Sequence, residues 1–138
     1  MVIQNVVLTV IVGTAATYVG WEFAPARCGV MQKCGLILAI AGFALWSLAR
    51  FQLGKSFSVS AQARQLVTRG LYSRICNPIY VFGSLFIIGY ILLLGRPLWL
   101  LIFLIIVPLQ LWRARKEGRV LEAKFGEEYR AYRARTWF

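Results

Sequence analysis

Two short stretches of the chain gather polar side chains of several types at the edges of apolar runs. SRICNPIY, residues 73–80, places Cys76, Asn77 and Tyr80 immediately before such a run. Asn77 can exchange hydrogen bonds through its amide, but it cannot shuttle protons. Arg113 and Glu117 lie one helical turn apart, just after a later apolar run. These stretches are the places where the chain could bind or transform a polar group.

Two interpretations of the charged pair stay open. Arg113 could bind a carboxylate through bidentate hydrogen bonds, or it could anchor the chain to lipid headgroups. Glu117 could contact a ligand's amino or hydroxyl group, or it could form a surface ion pair with Arg113. Cys76 is interpreted as a tolerated small residue, because only Arg74 nearby would favour a reactive thiolate.

The composition excludes several kinds of site. The chain has no histidine and no aspartate, and its three cysteines show no CxxC spacing. Zinc, haem and di-iron sites lack ligands, so no metal is expected. Catalytic triads that depend on histidine are excluded for the same reason.

The elements that must position these residues are predicted to be membrane helices. The 138 residues are 59% hydrophobic and 15% charged, whereas soluble domains carry roughly a quarter charged residues. The net charge of +11 comes from basic residues that flank apolar runs. We therefore expect anionic lipid headgroups, not nucleic acid, as their partner.

The pattern predicts an all-α integral membrane protein of one domain, residues 1–138, with about four transmembrane helices. The predicted spans are residues 2–23, 35–51, 79–94 and 98–112, joined by a loop at 52–78 and followed by a tail at 113–138. The first span is predicted to be retained and not cleaved as a signal peptide. Pro108 is expected to kink the last span.

Charge asymmetry orients these spans. The 52–78 loop and the tail hold most of the lysines and arginines, so both are expected in the cytoplasm together with the two termini. The tail has a helical stripe of apolar residues, and Gly126 is expected to end one helix before Glu127 begins the next. This tail could lie on the membrane or fold back as a cytoplasmic cap.

Two motifs carry a family resemblance. LVTRGLYSRICNPIYVFG, residues 66–83, is similar to the LVTxGxYxxxRHPxYxG signature of the isoprenylcysteine carboxyl methyltransferase family, which related phospholipid methyltransferases largely share. RARKEGRVLEAKFGEEYRAY, residues 113–132, resembles the second signature, RxxxEExxLxxxFGxxYxxY. The two motifs occur in the same order and cover roughly the C-terminal half. Cys76-Asn77 replaces the Arg-His pair, and Gly118 replaces the second glutamate.

The resemblance implies a membrane methyltransferase that binds S-adenosylmethionine near the cytosolic face and takes a lipophilic substrate from the bilayer. It implies catalytic roles for Asn77, Arg113 and Glu117. The implied cofactor-binding residues are Leu66, Val67, Gly70, Tyr72, Asn77, Pro78, Tyr80, Arg113, Glu117, Tyr129 and Tyr132.

Methyl transfer to a carboxylate needs no general base, because the carboxylate is ionised at neutral pH. An amine must first lose a proton. A chain without histidine therefore suits a carboxylate acceptor, as in isoprenylcysteine carboxyl O-methylation, or an acceptor deprotonated by water or Glu117. Two alternatives stay open: a catalytically silent lipid- or cofactor-binding relative, and a small four-span transporter that uses Glu22.

Overall fold

The computed structural model describes residues 2–23, 29–53 and 66–137, and every regular element in these ranges is helical. Five α-helices follow one another: α1 (Val2–Phe23), α2 (Val30–Leu53), α3 (Pro78–Leu93), α4 (Phe103–Phe125) and α5 (Glu127–Arg135). Short 3₁₀ helices at Gly70–Ser73 and Pro97–Ile102 precede α3 and α4. The chain is thus all-α in its described part, as predicted.

The helices coincide with the predicted spans but extend beyond two of them. α1 has the predicted bounds and α3 is shifted by one residue, whereas α2 begins five residues early and ends two residues late. The fourth predicted span continues as helix without a break to Phe125. Residues 24–28 and 54–65, which carry part of the charge pattern used for orientation, lie outside the described residues.

Two of the described helices are long and apolar enough to cross a membrane. They are Val30–Leu53 and the continuous helix Pro97–Phe125, each with a mean hydropathy of 1.8 over its most apolar stretch. None of that stretch in Pro97–Phe125 is buried within the chain. Two shorter apolar helices, Val6–Glu22 and Pro78–Leu93, accompany them.

α2 and α3 pack antiparallel with their backbones in close contact. Gly42 faces α3 so closely that a Cβ there would lie 2.5 Å from the backbone nitrogen of Phe86. Gly35, two helical turns earlier on α2, meets the backbone nitrogen of Leu93 in the same way. Small residues let membrane helices approach and gain van der Waals contact along their whole length. This closely packed pair forms the centre of the described structure.

α1 contacts both helices of this centre. The Tyr90 hydroxyl donates a hydrogen bond of 2.6 Å to the carbonyl oxygen of Ala16. Rings of Phe43 and Phe86 lie beside it, with centroids 5.4 Å apart, and a Cβ on Gly13 of α1 would lie 3.2 Å from the Phe43 ring.

α5 turns back from α4 at Gly126, as the sequence predicted. Gly126 has a φ of 51°, a left-handed value that favours glycine. Arg130 then bridges the two helices, with ion pairs of 2.8 Å to Glu122 and 2.7 Å to Glu127. The turn brings the last residues of the chain against the segment before α3, which is the arrangement that the cap interpretation predicts.

Candidate active site

The site is built on residues 66–77, the segment that leads into α3. Gly70 has a φ of 61°, and the following Leu71 N–H donates a 2.8 Å hydrogen bond to Oε1 of Gln52 at the end of α2. The Gln52 side chain also fills the space where a Cβ on Gly70 would stand. α2 therefore holds the 3₁₀ turn that carries Tyr72, which is buried.

A polar contact joins α3 to the end of α4. The Tyr80 hydroxyl donates a hydrogen bond of 2.7 Å to Oε1 of Glu117, although the residues are 37 positions apart. Arg113, one turn before Glu117, lies 3.9 Å from the same oxygen through its Nε and also interacts with the Tyr80 hydroxyl. The Arg113 and Glu117 side chains stay 47% and 31% exposed, so both can reach a ligand.

Three tyrosines from two segments form a buried group next to this contact. Tyr132 of α5 donates a 2.8 Å hydrogen bond from its hydroxyl to the carbonyl oxygen of Tyr72. The rings of Tyr129 and Tyr132 have centroids 6.2 Å apart. The Tyr72 hydroxyl lies close enough to Glu117 and Tyr80 to interact with both side chains. α5 therefore packs against the segment that carries Tyr72 and closes one side of the candidate site.

These tyrosines are held in their neutral form. Burial, followed by the effect of Cys76, raises the pKa of Tyr129 to about 12. Burial is also the main cause that raises the pKa values of Tyr72 and Tyr132, because a phenolate loses its hydration in such surroundings. At neutral pH the three side chains can donate hydrogen bonds but provide no phenolate to take a proton.

The predicted site residues fall into two groups. Tyr72, Tyr80, Arg113, Glu117, Tyr129 and Tyr132 come together. Asn77 precedes the first turn of α3, where its carbonyl oxygen accepts the N–H groups of Tyr80 and Val81, and its side chain makes no capping hydrogen bond. No contact with the cluster is shown for the remaining four among the described residues: Leu66 and Val67 are half-buried, Gly70 faces Gln52, and Pro78 is fully buried. Their contact with a cofactor stays a prediction.

Two further residues belong to the site: Cys76, which was interpreted from the sequence as a tolerated small residue, and Gln52, which was not singled out. The thiol of Cys76 lies beside the hydroxyls of Tyr129 and Tyr132 and interacts with both. Gln52 orders the turn before Tyr72. Cys76 lies within the first motif, whereas nothing near Gln52 in the sequence indicates its partner.

Gly118, which replaces the second glutamate of the second signature, lies close to a tyrosine of this cluster. A Cβ on Gly118 would lie 3.0 Å from the Tyr129 hydroxyl. This distance is tighter than most real Cβ contacts, so the tyrosine would have to shift for any side chain at this position. Gly118 and Tyr129 are therefore fitted to each other.

Comparison with known families identifies the group to which this site belongs. The sequence model of the phospholipid methyltransferase family matches residues 29–128, well over half of the chain. The chain belongs to the phospholipid methyltransferase family. The resemblance found in the two motifs is thus confirmed, and the family implies a membrane methyltransferase. A comparison with curated proteins gave no match.

The matched region includes most of the candidate site but not the tyrosines of α5. It covers α2, α3, α4 and the segment that carries Tyr72, but it ends before Tyr129 and Tyr132. The chain therefore shares with the phospholipid methyltransferase family the part that holds Tyr80, Arg113 and Glu117.

The residues present fit the cofactor that methyltransferases generally use. S-adenosylmethionine combines a carboxylate, an amino group, ribose hydroxyls and a sulfonium. Among the described residues, the buried Tyr72 hydroxyl has no hydrogen-bond partner, and a buried polar group normally has one. Arg113 and Glu117 offer opposite charges, and aromatic faces attract a cation. A polar, partly cationic ligand would satisfy these groups.

Proposed function

We propose that the chain transfers a methyl group from S-adenosylmethionine to a lipophilic carboxylate held at the membrane surface. The observation that carries the proposal is the contact of Tyr80, Arg113 and Glu117. It joins the two motifs that the family resemblance identified, and it sits beside a buried hydroxyl without a partner among the described residues. Family membership supports the reaction class.

In this proposal the charged side chains orient the cofactor. Arg113 binds a carboxylate through its guanidinium, and Glu117 accepts hydrogen bonds from an amino group or ribose hydroxyls. Tyr80 keeps the Glu117 carboxylate in position through its 2.7 Å hydrogen bond. Asn77 adds an amide that can donate to the cofactor or the acceptor.

The buried tyrosines exclude water and supply neutral donors. Tyr72, Tyr129 and Tyr132 are each at most 9% exposed, and together with Leu66, Val67, Gly70 and Pro78 they are the proposed lining of the cofactor pocket. When bound, S-adenosylmethionine supplies an electrophilic methyl group on a sulfonium. Alignment of the acceptor and removal of water are then the main requirements on the protein.

The state of the titratable groups favours a carboxylate acceptor over an amine. A protonated amine must give up a proton before it can attack. The tyrosines provide no phenolate at neutral pH, and Glu117 already receives the Tyr80 hydroxyl and faces Arg113. A carboxylate needs no such base. The family description names phospholipids, so a phospholipid amine is the acceptor against which this proposal must be tested.

We further propose that the chain is a multi-pass membrane protein with four spans and with both termini in the cytoplasm. Two long apolar helices and two shorter ones support this arrangement. The basic residues that flank them would contact anionic headgroups. The candidate site then lies at the cytoplasmic end of α3 and α4, where a lipid acceptor can enter sideways.

The test is a methylation assay with matched acceptors. Purified protein in vesicles receives S-adenosylmethionine with a labelled methyl group, together with either a prenylated cysteine carboxylate or phosphatidylethanolamine. We expect base-labile methyl ester from the first and little product from the second. Methylation of the amine alone would overturn the acceptor assignment. If calorimetry detects no binding of S-adenosylmethionine or S-adenosylhomocysteine at high micromolar concentration, the chain is a catalytically silent relative.

A further inference from the structure

Two hydrogen bonds cross from α3 to α4 at different depths along the helices. The first joins Tyr80 to Glu117, close to the start of α3. In the second, the Ser84 hydroxyl donates to Oε1 of Gln110 over 3.1 Å. This second contact lies one helical turn further along α3, about 6 Å deeper at about 1.5 Å per residue. Gln110 therefore stands within the apolar part of α4, where polar side chains are costly and usually serve a function.

The amide of Gln110 has hydrogen-bonding capacity that the contact with Ser84 does not use. Oε1 accepts from Ser84, which leaves the two N–H bonds of Nε2 as donors. Within the part of the chain that the structure describes, these donors meet no acceptor. The side chain is half-buried, so a ligand can reach it. Because no water is present in hydrocarbon, the Nε2 group requires an acceptor oxygen from outside the chain.

α3 and α4 do not pack tightly against each other. α3 lies against α2 with its backbone in close contact, whereas its backbone does not approach α4 in this way. Side chains bridge α3 and α4 instead, through the two hydrogen bonds described above. The apolar stretch of Pro97–Phe125 is not buried within the described chain. The contact between Ser84 and Gln110 thus lies in a cleft between the two helices that opens towards the bilayer.

An apolar groove on α4 leads up to Gln110. It has a volume of about 570 Å³ and is lined by apolar side chains from Pro97 to Pro108, and pockets for small ligands measure roughly 300–1,000 Å³. Its lining residues Phe103 and Val107 precede Gln110 by seven and three positions, so they lie on the same side of the helix. The charged pair of the candidate site follows Gln110. Along α4 the order is therefore apolar groove, amide and charged pair, which matches a ligand with an apolar tail and an anionic head.

We propose that Gln110 binds the methyl acceptor, and that the apolar tail of the acceptor occupies the groove of residues 97–108. This inference rests on the proposed function and adds the means by which the acceptor is recognised. The Nε2 group donates a hydrogen bond to one carboxylate oxygen, and the other oxygen stays free to react. Ser84 fixes the amide by donating to Oε1. An ammonium has no lone pair and cannot accept from Nε2, so the amide favours the carboxylate.

The experiment measures acceptor binding without cofactor, with the full chain in phosphatidylcholine nanodiscs. The carboxylate probe is an N-acetylated farnesylcysteine whose farnesyl tail carries a photoreactive diazirine. The amine probe has the same tail and an ammonium in place of the carboxylate. Competition by unlabelled farnesylcysteine gives the affinity, and mass spectrometry locates the crosslinks. We expect saturable crosslinks of the carboxylate probe within residues 97–110.

Gln110→Leu removes the amide donors and should weaken the carboxylate probe about tenfold, the lower end for a hydrogen bond to a charged group. Its affinities for the amine probe and for S-adenosylhomocysteine should stay unchanged. In the methylation assay KM for the acceptor should rise by the same factor with little change in kcat. Gln110→Glu should weaken the carboxylate probe further and tighten the amine probe. The matched control is Tyr90→Phe, which loses a hydroxyl hydrogen bond elsewhere on α3 and should bind both probes like the wild type.

Three results would overturn the inference: wild-type affinity for the carboxylate probe in Gln110→Leu, equal effects of Gln110→Glu on the two probes, or crosslinks that phospholipid displaces and unlabelled farnesylcysteine does not. If Gln110→Leu does not fold, Ser84→Ala keeps the amide without its anchor and should weaken the carboxylate probe about threefold; unchanged affinity there also contradicts the inference. If the protein binds no S-adenosylhomocysteine, the proposed function fails, whereas the two probes still decide whether Gln110 recognises a lipophilic carboxylate.

Discussion

The hydrogen bond between Tyr80 and Glu117 gives the most direct test of the candidate site. Tyr80→Phe removes the hydroxyl that donates to the Glu117 carboxylate over 2.7 Å. A hydrogen bond to a charged group contributes about 1.5–3 kcal/mol. Since the Glu117 side chain is 31% exposed, we take the lower end, about 1.5 kcal/mol, which corresponds to about a tenfold change in affinity.

Without the hydroxyl, Glu117 keeps Arg113 at 3.9 Å, which is beyond an ordinary hydrogen bond. A bound ligand must then order the carboxylate itself, so its affinity falls. We therefore expect S-adenosylhomocysteine to bind Tyr80→Phe about tenfold more weakly in calorimetry. Glu117→Gln should weaken binding further, and the double variant should be no weaker than Glu117→Gln alone, because the two residues act as one unit.

Tyr90→Phe is the matched control for this measurement. It removes a comparable hydroxyl hydrogen bond, 2.6 Å to the carbonyl oxygen of Ala16, from the same helix but away from the site. This variant should lose stability and keep its affinity for S-adenosylhomocysteine. Wild-type affinity in Tyr80→Phe, or equal losses in Tyr80→Phe and Tyr90→Phe, would refute the placement of the site.

Three further predictions concern the surroundings of the site. Gly118→Ala removes a helix-interior glycine, which costs a helix about 1 kcal/mol, but the new Cβ would lie 3.0 Å from the Tyr129 hydroxyl and displace it. Thermal stability should therefore hold or rise, while S-adenosylhomocysteine binding weakens. Unchanged binding would contradict this prediction. Gln52→Leu removes the acceptor for the Leu71 N–H, so hydrogen exchange at residues 69–73 should quicken about fivefold, whereas Gln52→Glu, which keeps the acceptor, should change it less. The pKa of Tyr129 is raised to about 12 from an ordinary 10.0, so the folded state keeps this proton to higher pH than the unfolded state. The melting temperature should therefore fall as pH rises from about 10 to about 12. Tyr129→Phe should lessen that fall.

The helices were largely predictable from hydropathy, but the two ends of α2 were not. The apolar run at residues 35–51 marks the part of α2 suited to lipid, and the helix itself starts at Val30, where the Lys33 N–H bonds the Gly29 carbonyl oxygen. α4 runs from the fourth predicted span into the predicted tail helix without a break, and it ends at Phe125, before the positive φ of Gly126 that the sequence indicated. Hydropathy detects the apolar part of a helix, whereas backbone geometry determines where the helix stops.

The candidate site was also predictable from the sequence only in part. The two motifs identified Tyr80, Arg113 and Glu117 as a set, and the structure brings them together. The spacing of Arg113 and Glu117 indicated a possible pair, but no local pattern connects residues 80 and 117. The contacts of Cys76 with α5 were missed because they depend on the turn at Gly126, which returns the tail to the segment before α3.

The absence of histidine limits the proton-transfer chemistry that this site can perform. The buried donors of the site are phenols whose burial keeps them protonated, and the Glu117 carboxylate is already engaged by Tyr80. Such a site can align and desolvate an acceptor, but it offers little to remove a proton from one. Under the proposed function, acceptors are therefore selected by their charge state as well as their shape. A lipid that arrives with an ionised oxygen can react at neutral pH, whereas an ammonium must first find a base elsewhere.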